Sequence, residues 1–313
     1  MYKDFYKLQR YPFELTPDPS FLFATTKHKK ALIALYEGVQ RHKGFVVLTG
    51  EVGTGKTLLL RCFMQLFKRN HDVEYAYVFH NSLSPTEFLQ NVLCDFRLST
   101  TGSKGELLRE LTNYLIGRAQ KKLTTCLVVD EAHQLSTEIL EELRLLTNLE
   151  TAERKLLQIL LVGQPELDEK LDSTELRQLK QRIAFRAQLA PLDLNETKGY
   201  IEYRLQHAGV TSDTSNIFPD PTITAIYRHT NGIPRLINAV CENALISACS
   251  KQHSSVTPEI IERVSAELRL GVSLESRADS SNSDDEIDYK SAAKIMLELY
   301  AALQKPRPIP QFL

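Results

Sequence analysis

Phe45-Val46-Val47-Leu48-Thr49 runs directly into Gly50-Glu51-Val52-Gly53-Thr54-Gly55-Lys56-Thr57, and a helical apolar pattern resumes from Leu58 to Phe67. The pentad is a short unbroken apolar run, the pattern of a strand buried on both faces. In the octet, glycines let the backbone curl so that successive N–H groups turn inward toward an anion. A helix that starts near Lys56 brings its positive dipole end to the same place. Lys56 supplies a point charge suited to the β- and γ-phosphates of a nucleotide, and Thr57 a hydroxyl suited to Mg2+. Strand, loop and helix in that order is the context that the G-x-x-x-x-G-K-T spacing requires. The loop alone does not separate ATP from GTP.

Working outward, further short apolar runs fall at 73–79, 126–129, 157–162 and 186–190 and read as buried strands. Helical patterns lie near 27–42, 85–97, 104–120, 136–148 and 174–183. Short apolar strands alternating with helices imply an α/β fold, a mostly parallel sheet covered on both faces. From Leu194 the pattern changes to helices only, at 195–208, 220–230, 234–250 and 257–268, with Thr257-Pro258 read as a cap and first helical position. That predicts a small all-helical domain. The expected division is 1–26 an extended N-terminal linker, 27–193 the α/β nucleotide-binding domain and 194–270 the helical lid. An acidic flexible linker at 271–290 and a short amphipathic helix with a proline-rich tail at 291–313 complete it.

Composition bounds the rest. The 313 residues are 42% hydrophobic and 25% charged, enough apolar material for a proper core. A formal net charge of −1 gives no global attraction to nucleic acid. Five cysteines without a C-x-x-C pair read as small buried hydrophobes in a reducing compartment. No apolar run reaches the length of a membrane span, and the charged start Met1-Tyr2-Lys3-Asp4 is not a signal peptide. The expectation is a cytoplasmic protein.

Four more features carry candidate chemistry. Cys126-Leu127-Val128-Val129 ends in Asp130-Glu131-Ala132-His133, which puts two carboxylates at the end of a buried strand. Asp130 is suited to hold a Mg2+-bound water, and Glu131 to orient and polarise the attacking water. The string Asp-Glu-Ala-His also occurs in helicases, but the chain has no room for a second nucleotide-fold half. Leu160-Leu161-Val162-Gly163-Gln164-Pro165 ends a strand in a polar residue; Gln164 reads as a group touching the γ-phosphate or the attacking water, or equally as part of a turn. Arg177, Lys180, Arg182 and Arg186 surround the start of the last strand. Arginine suits the charge of a transferring phosphoryl group, and a solvated basic face is the plainer reading. Arg235, in Gly232-Ile233-Pro234-Arg235 at a helix start, reads either as a group reaching the nucleotide or as a surface residue.

Taken in order, these features resemble AAA+ ATPases, and among them the ExeA/GspA/MshM-like family of secretion- and pilus-associated ATPases. Pro12-Phe13, Thr16-Pro17-Asp18-Pro19, the octet, Val128 to His133, Gly163-Gln164-Pro165-Glu166-Leu167, Leu179-Lys180-Gln181-Arg182-Ile183 and Asn231 to Arg235 carry the resemblance. It covers roughly residues 1–270. It implies a P-loop AAA+ fold with a three-layer sheet domain and a helical lid, and ATP hydrolysis with ATP and Mg2+ as cofactors. It puts Gln164 in the sensor-1 place, Arg235 in the sensor-2 place, and the arginine finger among Arg177, Arg182 and Arg186, with Arg182 the first choice. Because a finger acts on the adjacent subunit's nucleotide, a homo-oligomer is implied. The resemblance also packs Pro12, Phe13 and Phe23 near the adenine, and implies a protein partner of a secretion or pilus system, with peripheral placement at the inner membrane through that partner. A likeness to TnsC-type transposition regulators supplies the alternative, a DNA-binding ATPase with Lys104, Lys121 and Lys122 as a basic stripe. A nucleotide-gated adaptor whose tail at 291–303 recruits a partner is the third reading.

Overall fold

In the computed structural model, residues 2–69, 72–79, 83–151, 153–210 and 216–270 are described. The tail at 271–313, with its expected linker and amphipathic helix, lies outside them. In chain order the elements begin with α1 (Tyr2–Phe5), α2 (Thr26–Gln40), β1 (Phe45–Gly50), α3 (Lys56–Arg69), β2 (Val73–Val78), α4 (Pro85–Asp95) and α5 (Lys104–Gln120). Then come β3 (Thr124–Val129), α6 (Thr137–Leu146), β4 (Leu157–Gly163), α7 (Glu166–Leu171), α8 (Arg177–Lys180) and β5 (Ile183–Leu189). The chain continues with α9 (Leu194–His207), α10 (Asp220–Thr230), α11 (Pro234–Ser250) and α12 (Pro258–Glu267). These residues form two compact units, one from 26–52 and 59–189, the other from 1–25, 53–58 and 190–270.

The first unit is built on a five-stranded sheet in the order β2-β3-β4-β1-β5, every pairing parallel. All residues of β1, β3 and β4 are buried, as unbroken apolar runs demand. On one face Phe45, Val47, Leu127, Val129, Ile159 and Leu161 join a core with residues of α4, α5 and α6; α2 contacts β1 and β5. The edge strands behave differently. In β2 burial is intermittent, and in β5 only Leu189 is buried, so the expectation of a buried strand at 186–190 is corrected to a partly exposed edge strand that starts three residues earlier. An edge strand has a neighbour on one side only, so its polar residues keep their water.

Local chemistry sets the helix starts. Ser84 with Glu87 and Ser103 with Glu106 form capping boxes on α4 and α5, each worth about 1 kcal/mol. The helix expected at 174–183 is only the single turn Arg177–Lys180, whose Leu179 packs into the core beside Leu176. The intervening helix α7 was not expected: Gly-Gln-Pro starts it, with Pro165 already at φ −54.

The second unit packs α9 to α12 around a core of Ile201, Ile226, Val240, Ala244, Ile261 and their neighbours. The N-terminal stretch belongs to this unit and is more than an extended linker. It holds α1 and a 3-10 turn at Pro19–Phe21, capped by the Asp18 carboxylate accepting from the Ser20 N–H at 2.9 Å. Its backbone N–H at Gln9 donates to the Ala208 carbonyl at 2.7 Å, and buried Arg204 donates to the Pro12 carbonyl and to the Tyr200 hydroxyl. Aromatic side chains spaced by prolines therefore found partners on α9 instead of solvent.

Among the described residues no helix is long and apolar enough to cross a membrane. The five cysteines are free; Cys62, Cys126 and Cys241 are buried as expected of small hydrophobes, whereas Cys94 is exposed.

Candidate functional site

A parallel sheet sends all its strand ends to one edge. At that edge β1 ends in Gly50 and continues into Glu51 and Val52, β3 ends before Asp130 and Glu131, and β4 ends before Gln164. β4 lies between β1 and β3, with Leu161 paired to Val47 on one side and Val129 on the other. Strand order alone thus brings together, at the sheet edge, residues that are 80 and more positions apart.

Asp130 is 5% exposed, and its backbone N–H donates to the Val78 carbonyl at 2.9 Å, extending the β2–β3 pairing by one residue. Both its carboxylate oxygens are engaged. Oδ1 accepts from the Glu131 N–H at 3.0 Å and Oδ2 from the Tyr77 hydroxyl at 2.7 Å. Burial and the Asp130 charge push the Tyr77 phenol well above its usual range, so it stays a proton donor across the working pH. At Glu131 the backbone turns left-handed, φ 53 and ψ 35, which ends the strand and opens a 3-10 turn at Ala132–Gln134. For a non-glycine residue that conformation costs about 1–2 kcal/mol.

The Glu131 side chain is 39% exposed, and the Gln164 side-chain amide donates to its Oε2 at 3.3 Å. His133 Nδ1 lies 3.4 Å from the same oxygen and accepts the Gln164 backbone N–H at 3.4 Å. Lys170, on α7, ties this turn down by donating to the carbonyls of His133 at 2.6 Å and Leu135 at 2.8 Å. Glu131, expected at the attacking water, and Gln164, expected at that water or the γ-phosphate, are in contact. The sequence assigns no role to Tyr77 or His133: Tyr77 sits in a strand with no motif, and His133 closes a string whose chemistry reads from its two carboxylates.

The rest of the phosphate loop, residues 53–58, packs within the helical unit. Gly53 and Gly55 have φ of +82 and +101, the curled backbone that the octet predicts. Lys56, 6% exposed, is the first residue of α3. The Arg235 N–H donates to the Gly53 carbonyl at 3.2 Å, and a Cβ on Gly53 would lie 2.7 Å from Arg235 Cβ and 3.0 Å from Ile233 Cγ2. Arg235 therefore touches the loop through its backbone, while its side chain is exposed. Gly232 is held at φ +70 against Leu192, whose N–H donates to the Gly232 carbonyl at 2.9 Å.

The candidate finger arginines differ. Arg182 donates through Nη1 to the Arg144 carbonyl at 3.1 Å, to Thr147 Oγ1 at 3.0 Å and to Asn148 Oδ1, all at the C-terminal end of α6. Arg186 pairs with Asp168 at 3.2 Å and Asp172 at 3.1 Å. Arg177 is exposed, with no side-chain hydrogen bond or ion pair among the described residues. Of the aromatics expected at an adenine, Phe13 is 0% exposed and packs on Phe218, so it has no surface to offer a base. Phe23 stays half-buried between Tyr200 and Tyr203.

An AAA domain family model matches residues 39–171. The chain is 41% identical over 253 residues to general secretion pathway protein A of Aeromonas hydrophila, an alignment covering 80% of this chain and 45% of that relative. The chain belongs to the AAA+ family, related to general secretion pathway protein A. This AAA+ chain spans about half the length of the curated relative it matches. Solved structures extend the likeness to the fold alone. Cdc6p from Pyrobaculum aerophilum matches with TM-score 0.61 at 19% identity, over 87% of this chain and 72% of that one. The Aeropyrum pernix ORC2 protein, solved in ADPNP-ADP complexes, matches with TM-score 0.59 at 16% identity, over 83% and 72%. Drosophila ORC bound to DNA matches with TM-score 0.63 at 17% identity, over 98% of this chain and 80% of that one.

Proposed function

We propose that this AAA+ chain binds ATP with Mg2+ and hydrolyses it, as a motor or switch of a secretion or pilus assembly system. The observation that carries the reading is the contact of Gln164 with Glu131 beside buried Asp130, at the sheet edge from which the phosphate loop departs. The residues fit the ligand: a loop with two glycines at positive φ, a helix starting at Lys56, and a buried carboxylate at a strand end. Among the described residues no cluster of three or more His, Cys, Asp or Glu is placed to hold a metal. That suits Mg2+, which is usually held by one or two protein groups plus substrate phosphates.

The roles follow. Gly50, Glu51, Val52, Gly53, Thr54 and Gly55 offer backbone N–H groups to the phosphates, and Lys56 a positive charge. Thr57 and Asp130 hold Mg2+, which when bound neutralises charge on the phosphates. Glu131 polarises the attacking water, and Gln164 fixes the rotamer of Glu131 and reports the γ-phosphate. Arg235 follows the loop through its backbone contact with Gly53 and presents its guanidinium to the nucleotide. Residues 27–193 act as the nucleotide domain and 194–270 as the lid. Purified protein is expected to release phosphate from ATP only with Mg2+, and Lys56→Ala to weaken nucleotide binding by about tenfold or more, the loss of one charge-assisted phosphate contact. ATP affinity unchanged in Lys56→Ala sinks the site.

A homo-oligomer with Arg182 as the finger completes the reading. The Nη1 contacts at the end of α6 fix the plane of the Arg182 guanidinium, whose fork suits a transferring phosphoryl group. Specific activity should then rise with protein concentration. Arg182→Ala should bind ATP yet turn over poorly, and regain turnover when mixed with Lys56→Ala subunits. If mixing restores nothing, either a different arginine is the finger or the arginine acts within one subunit. A partner in a secretion system is inferred from the relative's name; placement in the cytoplasm, peripheral to the inner membrane through that partner, is part of the same proposal. The DNA-binding alternative gains no support from its lysines. Lys104 pairs with Glu142, and Lys121 and Lys122 lie past the far end of the 17-residue helix α5, about 25 Å away.

A further inference from the structure

We infer that Tyr77 is a positioning residue for Asp130, and that its hydroxyl sets how well the chain holds the Mg2+ of a bound nucleotide. This rests on the reading of Asp130 as a group that holds Mg2+. Tyr77 lies on β2, opposite Val128 of β3, and its hydroxyl donates to Asp130 Oδ2 at 2.7 Å while Oδ1 accepts from the Glu131 N–H. A carboxylate at a strand end turns about its last torsion over a broad range. Here the Tyr77 hydroxyl on Oδ2 and the Glu131 N–H on Oδ1 hold the plane of the group, so its lone pairs keep one direction.

The strand pattern supports a purpose beyond packing. Ala76 and Val78 of β2 belong to the hydrophobic core, and Tyr75 and Tyr77 alternate with them on the opposite face. On that face a phenylalanine would fill the same space as Tyr77 without the polar atom, so the hydroxyl is what the position adds. Groups that orient a metal-holding side chain commonly change metal affinity by about 10–100-fold when removed. For Mg2+ carried largely by nucleotide phosphates the effect is expected nearer the lower figure.

The test compares binding of a fluorescent ATP analogue, with Mg2+ and with EDTA, in the unaltered chain, Tyr77→Phe, Asp130→Asn and Tyr75→Phe. In the unaltered chain Mg2+ should tighten binding, and Asp130→Asn should lose most of that gain. Tyr77→Phe should lose about tenfold of it, with affinity in EDTA unchanged. Tyr75→Phe, the same chemical change one step along the same face, should keep the whole gain. A full Mg2+ gain in Tyr77→Phe overturns the inference, and so does an equal loss with and without Mg2+, which is the mark of a structural role alone. If Asp130→Asn itself keeps the full gain, it is the reading of Asp130 that fails, and the inference with it. Thermal unfolding followed by circular dichroism checks that Tyr77→Phe is folded. Should it not be, the titration is repeated with Tyr77→Trp, which keeps an aromatic ring and lacks the hydroxyl; a loss confined to Mg2+ supports the inference, and equal loss with Mg2+ and in EDTA overturns it.

Discussion

Glu131→Gln is expected to lower ATP turnover by about 10²–10⁴-fold while leaving ATP affinity unchanged, the range for loss of a general base. The amide keeps the size of the carboxylate and can still accept from Gln164 Nε2, which reaches Glu131 Oε2 at 3.3 Å. What it loses is the negative charge that polarises water and takes up its proton. The backbone conformation is no obstacle, since glutamine tolerates φ 53 about as well as glutamate. Binding should be spared because Glu131 acts on water and not on the nucleotide. The check pairs steady-state phosphate release with equilibrium binding of ATP. Turnover within tenfold of the unaltered chain would remove Glu131 as the base. Loss of binding in step with turnover would instead mean that the carboxylate holds the loop or the metal.

How much of this was legible beforehand differs element by element. The central strands β1, β3 and β4 were plain, because burial on both faces forces an unbroken apolar run, and nothing else in a short segment does. The edge strand β5 is harder to read, because its alternation Ile183, Phe185, Ala187, Leu189 is interrupted by charge and leaves only Leu189 buried. The phosphate loop was legible because glycine spacing is fixed by backbone geometry. So were the carboxylates, which stand where a buried strand must end. Their companions were not. Tyr77 reaches Asp130 across a strand pairing with 53 positions between them, and His133 meets Gln164 across 31. No local periodicity encodes either contact; each depends on strand order β2-β3-β4, which the sequence leaves open. The N-terminal stretch reads as extended for a related reason. Prolines do make it irregular, yet Tyr2, Tyr6 and Phe13 are buried in the helical unit, a tertiary fact that outranks local extension.

The second large effect is on the fold and reaches the site from there. Gly232→Ala is expected to destabilise the helical unit by about 3–5 kcal/mol, as the sum of three separate costs. The backbone stands at φ +70, where an alanine loses about 1–2 kcal/mol relative to its usual conformation. The new Cβ would lie 1.8 Å from the Leu192 carbonyl oxygen and 2.8 Å from its carbonyl carbon, distances no contact survives. The two segments must therefore part, and the bond from the Leu192 N–H to the Gly232 carbonyl, 2.9 Å long, is lost at about 1 kcal/mol or more. Leu192 is 3% exposed, so moving it also opens the core around Ile201 and Ile237. Gly117→Ala serves as the contrast: it lies in α5 with nothing within 4 Å of an added Cβ, and should gain about 0.5–1 kcal/mol of stability. With no tryptophan in the chain, far-ultraviolet circular dichroism is the measure of unfolding. A midpoint for Gly232→Ala equal to that of the unaltered chain would show that the Leu192 segment yields freely. If the variant is folded at low temperature, its ATP affinity should still fall, because Ile233, Pro234 and Arg235 follow Gly232 directly and the Arg235 N–H holds the Gly53 carbonyl. Stability and affinity falling together is what distinguishes a glycine that seats the phosphate loop from one that only lets the chain turn.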